Sequence, residues 1–247
     1  IDGQNNVSAI TNLTNSLNSK SNVIINKPIE KTARIKIVKT NANNTDEKLS
    51  GVEFTLSPTN GTSGDPVKGL TDENGELYFW DIPNGDYTLT ETKAPEGFIV
   101  ENWSENIYVR NGKVTKTLPT NSETPDNSQS TTGIKVSSKD QLDRSLFANV
   151  SEYYYFEVTN KPTEIKFKKT FSDNGNYNVK VVENLPAADN ENAYFTLKDN
   201  LGNSYHEAKY QSVANNTITY TKLPVGRTYT LTEQVPLGFN KADEYRF

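Results

Sequence analysis

Residues 81–98 read DIPNGDYTLTETKAPEGF, and residues 222–239 read KLPVGRTYTLTEQVPLGF. Each holds an alternating run, Tyr87, Leu89 and Glu91 in the first and Tyr229, Leu231 and Glu233 in the second. A strand sends every second side chain to the same face. The spacing therefore predicts a core-facing apolar stripe that ends in a glutamate, twice. Further stripes end on a polar residue in the same way. Ile35 and Ile37 lead to Lys39, Ile165 and Phe167 lead to Lys169, and Phe156 and Val158 lead to Asn160. Ionisable groups are costly to bury unless they are paired, so an amine, a carboxyl and a carboxamide pointing into one core must meet.

Outward from these stripes the chain repeats itself. IKIVKT (35–40) matches IKFKKT (165–170), VEFTL (52–56) matches YFTL (194–197), and INKP (25–28) matches TNKP (159–162). The order within a unit is a lysine strand, an F-T-L strand, a glutamate strand and an Asn-Lys-Pro closing strand. Residues 29–162 hold all of them, with a polar insert at about 120–151. Residues 1–28 hold only a closing strand, as the remnant of a preceding domain or linker, and 163–247 hold every part except one. Either the chain is a window cut from a longer array, or Asn26 of one molecule closes the last unit of another. Pro28 and Pro162 follow the closing strands, where proline ends pairing and stiffens a linker.

The chain reads as all-β, in tandem sandwich domains. Short alternating runs are separated by turn signals such as Asn74-Gly75, Asn84-Gly85, Asn111-Gly112 and Asn174-Gly175. One helix is predicted, over 138–149, with Ser138 as its cap and Leu142 and Leu146 at helical spacing. Residues 120–132 (TNSETPDNSQSTT) are predicted to be a loop.

Composition narrows the function classes. Of 247 residues, 33% are hydrophobic, which suits several small domains better than one large core. The net charge is -5 with acids and bases mixed, so no basic footprint for nucleic acid is present. No apolar run is long enough to insert in a membrane. The chain has no cysteine, which excludes disulfides, thiol nucleophiles and thioesters. No Ser/His/Asp set or metal cluster supports a hydrolase or transferase, and no cofactor is implied. His206, the single histidine, reads as a surface residue. Asp72-Glu73-Asn74-Gly75 lacks the ligand spacing of a calcium loop and reads as a hairpin turn. Trp80 and Trp103 read as core and sandwich-edge aromatics, with a glycan or collagen platform as the alternative.

The residues themselves permit one reaction. Burial disfavours a charged amine and can lower a lysine pKa by up to about 3–5 units. A carboxyl in the same setting also favours its neutral form. Lys39 can then attack the side-chain carbonyl of Asn160, with Glu91 hydrogen-bonding that carbonyl and passing a proton to departing ammonia. Folding supplies the proximity, which alone is worth about 7–11 kcal/mol of barrier. The event is a single turnover, so the protein modifies itself and is not an enzyme. Lys36 and Lys168 alternate to the other face and are predicted to be exposed and unreactive. Lys169 and Glu233 repeat the pair, with Asn26 as the acceptor for a second cross-link if it reaches them.

IKIVKTNANN, GVEFTL, TDENGELYF, the YTLTETKAPEGF segment and EVTNKP together resemble the Cna-B-like domains of Gram-positive collagen adhesins and pilins. The resemblance covers residues 29–162 and, in part, the flanks. It implies immunoglobulin-like β-sandwiches and a spontaneous isopeptide bond, with the lysine at Lys39, the assisting acid at Glu91 and the acceptor at Asn160. It also implies a stalk on the cell-wall-anchored surface of a Gram-positive bacterium. The partners would be neighbouring stalk or pilus subunits. The alternative role is an adhesin domain contacting host matrix protein or glycan through the 120–151 insert. Two family features are not recognisable. Leu118-Pro119-Thr120-Asn121-Ser122 only begins like an LPxTG sorting signal, and no pilin polymerisation lysine motif is seen.

Overall fold

The computed structural model describes residues 31–118, 131–137, 153–206 and 211–247. The expected helix at 138–149, most of the loop at 120–132, and Asn26 lie outside the described residues. Residues 31–247 form one compact unit. Among the described residues there is no α-helix, and none long and apolar enough to cross a membrane.

The first part is built from β1 (Ala33–Asn41), β2 (Asn44–Lys48), β3 (Glu53–Thr59), β4 (Val67–Leu70), β5 (Glu76–Ile82) and β6 (Gly85–Lys93). It continues with β7 (Ser104–Arg110), β8 (Lys113–Thr115), β9 (Lys135–Val136) and β10 (Tyr154–Asn160). One sheet has the order β10-β1-β5-β9, with β2 also paired to β1, and the other has the order β4-β3-β6-β7-β8. The lysine strand β1 lies parallel to the closing strand β10, and the F-T-L strand β3 lies antiparallel to the glutamate strand β6. Between the sheets sits one apolar cluster that includes Ile35, Ile37, Phe54, Leu77, Leu89 and Phe156. Apolar burial of this kind is the main favourable term in such a fold. Its walls are immunoglobulin-like: two sheets face to face.

The second part is built from β11 (Glu164–Lys168), β12 (Asn178–Val181), β13 (Asn192–Asp199), β14 (Gln211–Ala214), β15 (Thr217–Thr221), β16 (Tyr229–Gln234) and β17 (Tyr245–Arg246). Its sheets run β11-β15-β14 and β12-β13-β16-β17 around a separate apolar cluster. The pairing of Phe195 with Glu233 repeats that of Phe54 with Glu91. Tyr87 and Tyr229, the first residues of the two glutamate stripes, each donate their hydroxyl to a preceding proline carbonyl, at Pro83 and Pro224. These two ties explain why the repeated segments carry tyrosine at that position.

Three expectations need adjustment. Part of the polar insert is structured: a 3-10 turn at Thr131–Gly133 leads into β9, which pairs with β5. Thr131 is buried because its hydroxyl donates to the Asp65 carbonyl. The inward-outward alternation of β1 stops after Ile37, and Val38, Thr40 and Asn41 are buried as well. There β2 folds back onto the strand end, and Asn41 donates to Glu47. Lys36 is half-buried, not exposed, because Glu76 holds its amine at 2.8 Å. Lys168 is exposed as expected.

The turn before β5 fixes β1 at Lys39. Asp72 accepts the backbone N–H groups of Asn74 and Glu76, an Asx turn rather than a calcium loop. Gly75 takes the left-handed conformation with φ +70, and its carbonyl accepts the Lys39 N–H at 2.8 Å. A Cβ at Gly75 would stand 2.5 Å from the Lys39 carbonyl oxygen, whereas one at Gly51, with φ +73, would meet nothing within 4 Å. Left-handed backbone costs a non-glycine residue roughly 1–2 kcal/mol. Gly51→Ala is therefore expected to lose about that much stability, and Gly75→Ala clearly more. Urea denaturation of the two variants tests the contact, and equal losses would count against it.

Candidate functional site

Lys39, Glu91 and Asn160 come from β1, β6 and β10 and converge between the two sheets. Their exposures are 0%, 2% and 0%. The Lys39 Nζ donates to Glu91 Oε2 at 2.8 Å. The Asn160 Nδ2 donates to Glu91 Oε1 at 2.6 Å and to the Ile99 carbonyl at 2.9 Å. One carboxylate thus bridges the amine and the carboxamide. The register accounts for this geometry. In the β1–β10 pair Lys39 stands opposite Val158, and Asn160 stands two positions further along, opposite Asn41. The β3–β6 pair then presents Glu91 from the facing sheet.

The orientation of Asn160 differs from the sequence reading, in which Glu91 meets the side-chain carbonyl. Here the amide nitrogen faces Glu91, and Oδ1 is buried with no hydrogen-bond partner. The physical reason is Ile99. Its carbonyl stands on the other side of the carboxamide, so two acceptors flank it and call for two N–H donors. Nothing in the sequence pattern marks Ile99 for this part.

The walls of the site are aromatic. The Lys39 Nζ lies 5.9 Å from the centroid of the Phe54 ring. Phe54 packs edge-on against Trp103 at 5.8 Å, and Trp103 against Phe156 at 5.6 Å. Trp103 is thus part of the wall, and its carbonyl accepts the Glu91 N–H. The signal for Phe54 was present in the repeated F-T-L strand. Trp103 has no counterpart in the repeat.

These surroundings separate two neighbouring lysines. Burial pushes the Lys39 amine below its ordinary range, against the opposing pull of Glu91. Burial also pulls Lys36 down, but hydrogen bonds to Glu76 and Tyr78 outweigh it and the amine is raised. Lys39 is the one prepared to lose its proton.

The repeated pair in the second part is more open. The Lys169 Nζ lies 2.6 Å from Glu233 Oε1, with the side chains 18% and 7% exposed. The contact is an ion pair without hydrogen-bond alignment. The cross-link partner expected for Lys169, Asn26, lies outside the described residues. Among the described residues no group of three or more His, Cys, Asp or Glu side chains is placed to hold a metal ion. His206 is half-buried, with Nε2 3.9 Å from Glu183.

The lowered Lys39 value has a stability consequence. In an Asn160→Ala variant the amine stays free. Below the folded-state pKa both the folded and the unfolded chain carry the proton, and the folded state bears the burial penalty. Between that pKa and the ordinary value of 10.5 the unfolded chain binds more protons. Stability therefore rises with pH across that window. Chemical denaturation from neutral to alkaline pH should show this rise relative to the Lys39→Met, Asn160→Ala double variant. A flat difference would mean that Lys39 is not desolvated.

Residues 33–124 match the family model of the SpaA prealbumin-like fold domain. No curated protein matches the chain. Among solved structures the chain is similar to the Bacillus anthracis TIE protein, at 19% identity and TM-score 0.44, covering 88% of this chain and 31% of that one. It is also similar to BcpA, the major pilin subunit of Bacillus cereus, at 17% identity and TM-score 0.36, covering 87% of this chain and 67% of that one. A Streptococcal ancillary pilin is similar at 16% identity and TM-score 0.32, covering 91% of this chain and 60% of that one. The chain therefore spans less than a third of the TIE protein's length. The stretch that matches the SpaA prealbumin-like fold domain model carries Lys39 and Glu91, and the match agrees with the resemblance to Cna-B-like pilin and adhesin domains.

Proposed function

We propose that this chain is a stalk segment of a Gram-positive pilin or cell-wall surface adhesin, hardened by an isopeptide bond between Lys39 and Asn160. The domains are 29–162 and 163–247. The observation that supports this reading is the buried Lys39–Glu91–Asn160 contact, in which the nitrogen that must leave already faces the carboxylate. The Lys39 Nζ adds to Asn160 Cγ, and the Cγ–Nδ2 bond breaks. Glu91 takes the proton shed by the amine and returns it to the departing Nδ2. One amide forms and one ammonia leaves, with no redox change and no cofactor. The reaction occurs once per chain. Its partners are neighbouring stalk or pilus subunits, and its place is outside the cell.

The bond would matter mechanically. Lys39 and Asn160 lie on adjacent parallel strands, the first and last of the sandwich. A pull along the array enters and leaves through these strands, and a covalent link between them carries the load past the core. In the chain-entropy model, a link closing a loop of about 100 residues adds roughly 4.7 kcal/mol. That is comparable to the whole stability of a marginal domain.

Intact mass of the denatured chain tests the reading. A deficit of one ammonia is expected, with the linked peptides mapping to Lys39 and Asn160. Glu91→Gln should fold and show no deficit from this pair, and a retained bond would remove Glu91 from the mechanism. Lys39→Ala should become markedly more sensitive to heat and trypsin. Trypsin sensitivity equal to that of the parent chain would count against the mechanical role.

A further inference from the structure

The Ile99 carbonyl holds the leaving end of the Asn160 carboxamide, yet the Ile99 side chain does not fix that carbonyl in place. Ile99 is 46% exposed, and the next residue, Val100, is 38% exposed. Phe98 anchors the segment in the first core. Further support comes from the residues that follow Asn160 and from the second half. The Ile99 N–H donates to the Lys161 carbonyl at 2.9 Å, and the Thr163 N–H donates to the Gly97 carbonyl at 2.9 Å. The Lys222 N–H in turn donates to the Thr163 carbonyl. Gly97 has φ +85, and a Cβ there would stand 2.6 Å from the Lys222 carbonyl oxygen. Its counterpart in the repeat, Gly238, has φ +94, and a Cβ there would meet nothing within 4 Å. The close approach at Gly97 is thus specific to the junction.

Lys222 also reaches the other side of the site. Its Nζ donates to Glu47 at 2.7 and 2.8 Å, and Glu47 accepts the Asn41 Nδ2 at 2.9 Å. Asn41 stands opposite Asn160 in the β1–β10 pair, and the next N–H, that of Ala42, donates to the Asn160 backbone carbonyl. One residue of the second half therefore braces both the backbone of Asn160 and the carbonyl that its amide meets. The position matched to Lys222 in the first repeat is Asp81, of opposite charge, so the repeated design alone does not call for a lysine.

We propose that Lys222 and Gly97 are positioning residues for the Lys39–Asn160 bond, and that the second half, docked through them, sets the Ile99 carbonyl against Asn160 Nδ2 and so governs when the first half cross-links. The proposal rests on the Lys39–Asn160 chemistry above. Asn160 Nδ2 has one N–H on Glu91 and one on Ile99. When Glu91 returns its proton to Nδ2, and before the Cγ–Nδ2 bond breaks, that nitrogen carries positive charge. Its bond to the Ile99 carbonyl then comes from a charged donor, which makes it roughly twice as strong. The carbonyl thus favours the transition state over the resting amide. A carboxamide free to turn would bring Oδ1 to Glu91 in place of Nδ2 and lose this relay. Cross-linking is then the last step of assembly, after the halves have folded and docked.

Full-length chains made by cell-free synthesis, quenched in denaturant at intervals and read by intact mass, give the rate at which ammonia is lost. Lys222→Met removes the ion pair but keeps an apolar stem, and Gly97→Ala forces residue 97 off the Lys222 backbone. Each should slow the loss by about tenfold to a hundredfold, the scale of a reacting group displaced by about 1 Å. Lys222→Arg, which can restore the pair with Glu47, should recover a rate near that of the parent. Gly51→Ala carries a left-handed backbone cost in the first half with no contact at its Cβ, and should link at the parent rate. A second readout needs no bond. In Glu91→Gln the Asn160 Nδ2 protons should exchange slowly with solvent by NMR, and adding Lys222→Met should speed that exchange. Parent rates in Lys222→Met and Gly97→Ala, no rescue by Lys222→Arg, a Gly51→Ala chain slowed as much as Gly97→Ala, or unchanged exchange would each overturn the proposal. A parent chain that loses no ammonia would overturn the Lys39–Asn160 reading instead, while exchange still reports whether Lys222 holds the amide, so the two failures are distinguishable.

Discussion

A lysine amine cannot stay charged and alone in an apolar core, and the arrangement of the first sandwich follows from that constraint. Lys39 is fully buried on the central strand of its sheet, so a carboxylate must meet it. Glu91 comes from the opposite sheet and therefore fixes how the sheets face each other. Its second oxygen would be left unpaired without Asn160. The three residues are mutually required, and removing any one leaves a buried polar group without its partner. Buried clusters of this kind are costly as simple ion pairs. A covalent bond would resolve the cost by removing the charge.

The second sandwich shows what the closing strand contributes. Its lysine and glutamate are also in contact, but the lysine is partly exposed, and among the described residues the strand beside it is paired on one side. The same residue types at the same spacing therefore sit in a different dielectric. At the first site one covering strand, β10, both excludes water and carries the carboxamide. The halves are joined by a backbone bond from Thr163 to Gly97 and by the ion pairs of Lys222 with Glu47 and Arg227 with Glu96.

Much of this was legible in the chain. The all-β class followed from alternation and turn signals, and the self-similarity of the glutamate segments marked two units of one design. The polar ends of the apolar stripes named Lys39, Glu91, Asn160, Lys169 and Glu233, because side-chain alternation in a strand is a local property. Other features escaped because they are not local. The burial of Val38, Thr40 and Asn41 depends on β2 folding back across the end of β1. The cover over Lys36 depends on Glu76 from the neighbouring strand. The pairing of β9 with β5 could not be read from a polar, turn-rich insert.

The sequence by itself determined which side chains of each apolar stripe share a face and which residue types end those stripes, since period-two alternation needs no knowledge of neighbours. Only the tertiary structure decided which nitrogen of the site faces which oxygen. The orientation of the Asn160 amide depends on the Ile99 carbonyl, brought from a loop that carries no pattern of its own. The difference between a sealed lysine and an open one likewise depends on whether a strand distant in the chain lies beside it. Desolvation is a property of everything around a group, and no stretch of sequence contains its own surroundings.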